Sequence, residues 1–197
     1  MHKNVSGIIL SGGKSIRMGQ DKAFLLLGDK PLVEKVINAF GELFEQVLVV
    51  TNNPEKYGEY RQKLTIKEDV IPDKGPLGGI YSGLLSSQNV YNFIIACDMP
   101  FLNRELLAYI VNQAKNFDAV IPEYKGRLNP LFALYSKDCI PEFKKQISQD
   151  NLKIRNFIGD MNAKILPSAE VEKLDPQGLS FTNINTYGQY QSWIKKL

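Results

Sequence analysis

Three short, unbroken apolar runs, Ile8-Ile9-Leu10, Val47-Leu48-Val49-Val50 and Phe93-Ile94-Ile95-Ala96, punctuate the first half of the chain, with amphipathic stretches between them. A strand with one face in water alternates apolar and polar residues, whereas an unbroken run is covered on both faces. Strands of that kind, separated by helical periodicity, predict βα units and a mostly parallel sheet between two layers of helices. The helix ends are readable. Pro31 suits a first helical turn, and Leu32, Val33, Val36, Ile37, Phe40 and Leu43 then form one apolar stripe. Asn103 is placed to N-cap a second helix, whose Leu106, Leu107, Ile110 and Val111 share a face. Thr186 with Gln189 has capping-box spacing and opens a third, with Tyr190, Trp193, Ile194 and Leu197 turned inward.

Beyond about residue 116 the rhythm changes. Strand-like Ala119-Val120-Ile121 and Leu131 to Tyr135 precede a lysine-bearing helical stretch, then Ile165-Leu166 and Phe181 to Ile184. This pattern predicts the far half of the same sheet with an antiparallel excursion. No Pro/Gly/Ser linker, repeat or low-complexity tract divides the sequence, so the expectation is one domain spanning residues 1–197.

The first apolar run leads directly into Ser11-Gly12-Gly13-Lys14-Ser15-Ile16-Arg17-Met18-Gly19-Gln20-Asp21-Lys22. A glycine pair at the carboxyl end of a parallel strand lets backbone N–H groups approach a phosphate, and Lys14, Arg17 and Lys22 supply countercharge. Open α/β sheets bind ligands beyond such strand ends. A Walker A loop is excluded, because the glycine it needs five residues before Gly13 falls on Ile8. The dinucleotide GxGxxG pattern also fails, since the glycines stand at 12, 13 and 19 with a charged interval between them. What remains is a polyphosphate cradle or a plain turn with solvated cations. For Lys14 both roles stay open.

Composition removes whole classes of chemistry. The only histidine, His2, adjoins the initiator Met, which leaves no histidine for a triad, a zinc site or a general base. Cys97 and Cys139 form no CxxC and are expected as small apolar core residues. A net charge of +3 with 23% charged residues is too balanced for a protein that coats nucleic acid or an anionic membrane. No run approaches the ~20 apolar residues of a membrane span, and no signal peptide is evident, so the expected location is cytoplasmic.

The string from Leu10 to Lys22 resembles the LxGGxSxRMGxDK signature of the molybdenum cofactor guanylyltransferases, within the wider nucleotidyltransferase family, and matches it at every specified position. Further similar motifs follow in order: Lys30-Pro31-Leu32, Gly75-Pro76-Leu77-Gly78-Gly79-Ile80, Cys97-Asp98-Met99-Pro100-Phe101 and Asn183-Ile184-Asn185-Thr186. The resemblance implies a single Rossmann-like, three-layer α/β nucleotidyltransferase domain, its N-terminal half binding nucleotide and its C-terminal half the acceptor. The implied reaction moves GMP from GTP to the phosphate of molybdopterin (the molybdenum cofactor) and releases pyrophosphate. Implied nucleotide contacts are Leu10, Ser11, Gly12, Gly13, Lys22 and Asp98, with Asp98 also holding Mg2+. Two further contacts fall on pairs of neighbours: Asn52 or Asn53, and Asp69 or Asp73. Implied partners are GTP, molybdopterin, and transiently molybdoenzymes or cofactor-handling proteins, with no nucleic acid and no membrane.

The residues themselves supply a compatible chemistry. Asp98 ends an apolar strand before Pro100, where a carboxylate either coordinates a hard cation or caps the next turn. An acceptor phosphate attacking an α-phosphorus while pyrophosphate departs requires no strong base, so positioning and charge neutralisation suffice. Lys22, Arg17 and Asp98 are the catalytic candidates. Gly78 and Gly79 either admit a flat base or permit close helix packing. Arg127, Asn129, Asn183 and Asn185 are polar groups in strand-like surroundings, suited to an acceptor or to loop backbone. Asn183 and Asn185, two apart in a strand, would share a face.

The rival activities are cytidylyl or sugar-phosphate transfer in the same superfamily, whose members more often carry LAAGxGxRM or LAAGxSxRM, and non-catalytic delivery of the cofactor. Gly12-Gly13 with Asp21-Lys22 favours guanylyl transfer, and retention of both Lys22 and Asp98 argues for catalysis.

Overall fold

Ile8, Ile9 and Leu10 lie in β1 (His2–Ser11), which is hydrogen-bonded in parallel to β4 (Phe44–Thr51) on one side and β6 (Tyr91–Ala96) on the other. Ile9 stands level with both Val49 and Ile95, so the three apolar runs of the sequence are three adjacent strands in register. Alternate residues of β1 feed two separate cores. Ile9 packs with Val36 and Phe40 of α1 (Leu32–Leu43) and Leu106 of α3 (Arg104–Asn112). Ile8 and Leu10 pack on the opposite face with Leu77, Ile80 and Leu84 of α2 (Gly75–Ser86) and Phe143 of α4 (Ile140–Ser148). Burial on both faces explains why these runs are unbroken: each fully enclosed Ile or Leu contributes roughly 1.5–3 kcal/mol. The outcome is the expected α/β sandwich of three layers around a mostly parallel sheet.

The computed structural model describes residues 2–12, 21–184 and 187–194. Its sheet runs β10-β7-β9-β6-β1-β4-β5, where β5 is Thr65–Glu68, β7 Ala119–Tyr124, β9 Phe132–Ser136 and β10 Ala163–Leu166; β8 (Arg127–Leu128) pairs with β7 alone. The expected antiparallel excursion is β9, which runs against both β6 and β7. A separate small ribbon is formed by β2 (Leu26–Leu27) and β3 (Lys30–Pro31). Helix α5 (Ser168–Leu174) adds Val171 to the core shared by α1 and α3.

Helix ends follow from capping chemistry. The Asn103 side chain accepts from Leu106 N at 3.0 Å, satisfying a donor that the first turn of α3 leaves open. Pro31 is the residue before α1, one position earlier than expected, and Leu43 at the far end of the stripe is half-buried. In α6 (Tyr187–Ile194) Tyr190 and Trp193 pack against Leu27, Leu32 and Ile184. Thr186 and Leu197, expected as its cap and its last inward residue, lie outside the described residues.

One expectation is corrected. Phe181 to Ile184 is not a strand: a 3-10 turn, Leu179–Phe181, gives way to irregular chain. That segment crosses the strand ends and does not run beside one. Among the described residues, its backbone is tied there by a bond from Ile184 N to Asp98 O, 3.0 Å. Among the described residues, no helix is long and apolar enough to cross a membrane.

Candidate active site

Strand order reverses at β1: β4 and β5 extend to one side and β6 to the other. At such a switch point the following connections diverge to opposite faces and leave a crevice beyond the carboxyl ends of the strands. Here the crevice is a cavity of about 370 Å³ with Leu10 at the end of β1, Gly12 just after it, Asn52 after β4, and Cys97 and Asp98 after β6. Ser11 is level with Thr51, and Cys97 N donates to Leu10 O at 2.9 Å, which holds the three strand ends together.

Lys22 enters this cleft from a 3-10 turn, Lys22–Phe24. Asp21 caps the turn, Oδ1 accepting from Ala23 N at 3.3 Å, and its Oδ2 pairs with Lys56 Nζ at 2.9 Å. The buried methyl of Ala23 anchors the other side. Lys22 Nζ thereby reaches Asp98 Oδ2 at 2.5 Å, with the two side chains only 15% and 12% exposed. Asp98 Oδ1 is buried and has no hydrogen-bond partner among the described residues. An orphaned carboxylate oxygen in a polar cleft is a ready ligand for a hard cation.

The glycines of the cleft divide by role. A Cβ on Gly12 would lie 3.9 Å from Asn52 Nδ2, so these two residues face each other across the strand ends. On Gly78 a Cβ would lie 2.8 Å from Ile71 O, which makes Gly78 a packing glycine away from the cleft lining. Gly79 lines the cleft beside Leu10. Of the two asparagines, Asn52 lines the cleft, while Asn53 N donates to Thr51 Oγ1 at 3.1 Å and leads into the 3-10 helix Pro54–Tyr60. Both Asp69 and Asp73 line it. Asp69 is fixed, Oδ1 accepting from Ser82 Oγ at 2.7 Å and Ile71 N at 3.0 Å, whereas Asp73 occupies the left-handed region at φ 65°.

Behind the cradle, Tyr57 Oη donates to Ser11 Oγ from a buried position, and burial raises the phenol far above its ordinary range. The Cys97 thiol is pushed up to about 12, chiefly by burial and then by the neighbouring Asp98 charge. Cys97 is therefore not a plain core residue as expected: it is a neutral wall of the cleft. Cys139 is buried in the core.

A second cavity of about 380 Å³ adjoins the first, sharing Pro76, Leu131 and Asn183 with it. Asn129 lines it, held by bonds from its Nδ2 to Arg127 O at 2.8 Å and from its N to Pro122 O at 2.9 Å. Arg127 itself is exposed on β8 and lines neither cavity. Gly13, Lys14, Arg17 and Asn185 lie outside the described residues. Sequence reasoning missed the segment after α4, where Lys153, Arg155 and Asn156 line the second cavity and Arg155 Nη2 donates to Leu128 O at 2.8 Å. The sequence offers only the alternation Lys153-Ile154-Arg155; it is the burial of Ile154 in the structure that holds the two cations in place.

The two cavities differ in charge. Among the described residues lining the first, Asp69, Asp73 and Asp98 face Lys22 alone; the second carries Lys153 and Arg155 with no carboxylate. The described residues of the first cavity therefore carry an excess of negative charge, which favours a cation beside an anionic ligand. Among the described residues no group of three or more His, Cys, Asp or Glu side chains is placed to hold a metal by itself. That suits a cation shared between one carboxylate, ligand oxygens and water.

The chain matches the model of the MobA-like NTP transferase domain over residues 7–165. It is 35% identical, over 97% of its length and 96% of the relative's, to a Clostridium perfringens strain 13 protein named "Probable molybdenum cofactor guanylyltransferase". A Natranaerobius thermophilus protein of the same name is 36% identical over 94% of this chain and 93% of its own. Among solved structures, molybdopterin-guanine dinucleotide biosynthesis protein A from Archaeoglobus fulgidus superposes with a TM-score of 0.83 at 25% identity, covering 97% of each chain.

Proposed function

Because this chain belongs to the MobA-like NTP transferase family, we propose that it transfers GMP from GTP to the phosphate of molybdopterin, releasing pyrophosphate and forming the guanine dinucleotide cofactor. The observation that carries this is the pairing of two abutting cavities. One holds Lys22 and Asp98 at the strand ends, and the other is lined by cations and amides. A donor nucleotide and a phosphorylated acceptor can then meet at their shared boundary of Pro76, Leu131 and Asn183.

Leu10, Gly12, Asn52, Asp69 and Asp98 are the described residues assigned to the nucleotide, Asp73 to the rim of the same site, and Ser11 to the wall behind it. Gly13 and Arg17, outside the described residues, are assigned to the donor on the sequence motif alone. Asn129, Asn183, Lys153 and Arg155 are assigned to the acceptor. In this division the N-terminal half of a single domain handles the donor and the C-terminal half the acceptor. Bound at Asp98, Mg2+ would supply charge neutralisation at the reacting phosphates. Lys22 supplies a positive charge for the departing pyrophosphate, and the backbone amides at Gly12 add fixed dipoles without reorganisation. Arg155, held by Leu128 O, positions the acceptor phosphate; proximity replaces a general base, since the attacking phosphate oxygen is already anionic and the charge developing on the bridging oxygen leaves with pyrophosphate.

The test is incubation with Mg2+, each NTP in turn and molybdopterin, followed by mass spectrometry of the products. A GMP adduct formed selectively from GTP is the expected result. Preference for CTP, or turnover only with sugar phosphates, would overturn the substrate assignment, and absence of pyrophosphate with every pair would overturn the activity.

A further inference from the structure

Ser82 lies in the middle of α2, fully buried and absent from the lining of either cavity, yet it is bonded to a residue that does line the nucleotide cleft. Its Oγ is 2.7 Å from Asp69 Oδ1 and 2.9 Å from Gly78 O, and it accepts from Val70 N at 3.0 Å. A hydroxyl has one hydrogen to give, and the shorter contact to a charged acceptor is the stronger. Ile71 N donates to the same Oδ1 at 3.0 Å. The backbone of Asp69 is fixed as well, its N donating to Thr51 O at 3.2 Å. One oxygen of the carboxylate thus has both of its acceptor positions filled, while Oδ2 accepts no hydrogen bond from the described residues.

We infer that Ser82 is a positioning residue for nucleotide recognition: its hydroxyl locks Oδ1 of Asp69, so that the carboxylate presents Oδ2 alone to the bound nucleotide. The inference rests on the assignment of Asp69 to the nucleotide made above. It adds that Asp69 recognises its ligand through one oxygen and not through a two-oxygen fork. It also gives the helix opened by Gly75 and Pro76 a direct mechanical link to the cleft. Without the hydroxyl, Ile71 N alone holds Oδ1 and the contact loses part of its preorganisation.

The experiment is a double-mutant cycle on Ser82→Ala and Asp69→Asn, with GTP affinity in Mg2+ read by titration calorimetry and GTP kinetics read in parallel. Ser82→Ala should weaken GTP binding roughly five- to tenfold, less than the full worth of a hydrogen bond to a charged group because Ile71 N still holds Oδ1, and raise KM while leaving kcat near its original value. In the Asp69→Asn background the same change should add nothing further. Ser82→Cys keeps a weak donor and should fall between serine and alanine, so the inference remains testable even if the alanine variant folds poorly. Equal weakening in both backgrounds would show a structural role and overturn the inference. Unchanged affinity in Ser82→Ala beside a weakened Asp69→Asn would overturn the role of Ser82 alone. Unchanged affinity in Asp69→Asn would remove Asp69 from the nucleotide, and the inference with it.

Discussion

Lys22 Nζ and Asp98 Oδ2 are 2.5 Å apart, so an ammonium group stands against the carboxylate that a divalent cation would need. In the proposed reaction the same lysine serves two anions in turn, a carboxylate before the nucleotide enters and phosphate afterwards. Lys22→Ala should therefore tighten Mn2+ binding to the nucleotide-free protein, by roughly three- to tenfold on removal of a like charge at this distance. It should weaken GTP binding at the same time. Mn2+ titration followed by electron paramagnetic resonance separates the two effects, and unchanged or weaker Mn2+ binding would refute the competition. Because the pair is largely shielded, losing one member also leaves Asp98 uncompensated, a cost of about 1–3 kcal/mol that added Mg2+ should restore.

Asp98→Asn keeps the shape of the side chain and removes its charge. Magnesium-dependent pyrophosphate release should fall by orders of magnitude while thermal unfolding stays cooperative. Near-normal turnover at saturating Mg2+ would mean that the orphaned Oδ1 is not a metal ligand.

Gly7 has no room for a side chain. A Cβ there would lie 2.6 Å from Phe44 Cδ2 and closer still to Phe40, both rings being fully enclosed. Gly7→Ala should cost about 1–3 kcal/mol in urea unfolding, or more if the rings cannot shift. Gly58, with nothing within 4 Å, is the matched control, and Gly58→Ala should stay within about 0.5 kcal/mol.

Burial, with Asp118 as the next cause, pushes the Cys139 thiol from its ordinary 9.0 up to about 12. The unfolded chain releases this proton near pH 9 and the folded chain holds it to about pH 12, so the unfolded state binds fewer protons between those values. Stability contributed by the neutral thiol is complete below pH 9 and declines as pH rises through that window. Cys139→Ala should flatten this part of the stability curve, as measured by urea midpoints at successive pH values. A slope unaltered by the substitution would assign the alkaline loss to other groups.

The parts of the fold that were legible in the sequence are those where local pattern and tertiary role coincide. The runs at Ile8, Val47 and Phe93 are unbroken because two cores compete for alternate side chains, and Asn103 caps because α3 begins with open donors. The lining of the cleft was legible where a residue ends a strand, as at Leu10 and Asp98, and only down to two neighbours at Asn52 and Asn53. It was not legible where position depends on distant chain. Arg127 is charged and near the right strands, but its two-residue strand turns it outward. Lys153 and Arg155 enter the second cavity only because Ile154 is buried against the helix side of the sheet. Asn183 reaches both cavities from irregular chain, where an alternating strand was expected.

The antiparallel course of β9 separates two kinds of inheritance. In the proposed division, parallel strands deliver donor-facing residues from their exits, at Leu10, Gly12, Asn52 and Asp98. Because β9 is reversed, its entrance, residues 129–131, arrives at the same rim. Whatever rewrites the β8–β9 hairpin or the segment at 152–156 alters the acceptor wall and leaves the donor strands untouched. A sheet built this way can exchange its acceptor by changes in two short surface stretches while the triphosphate machinery passes down a lineage intact.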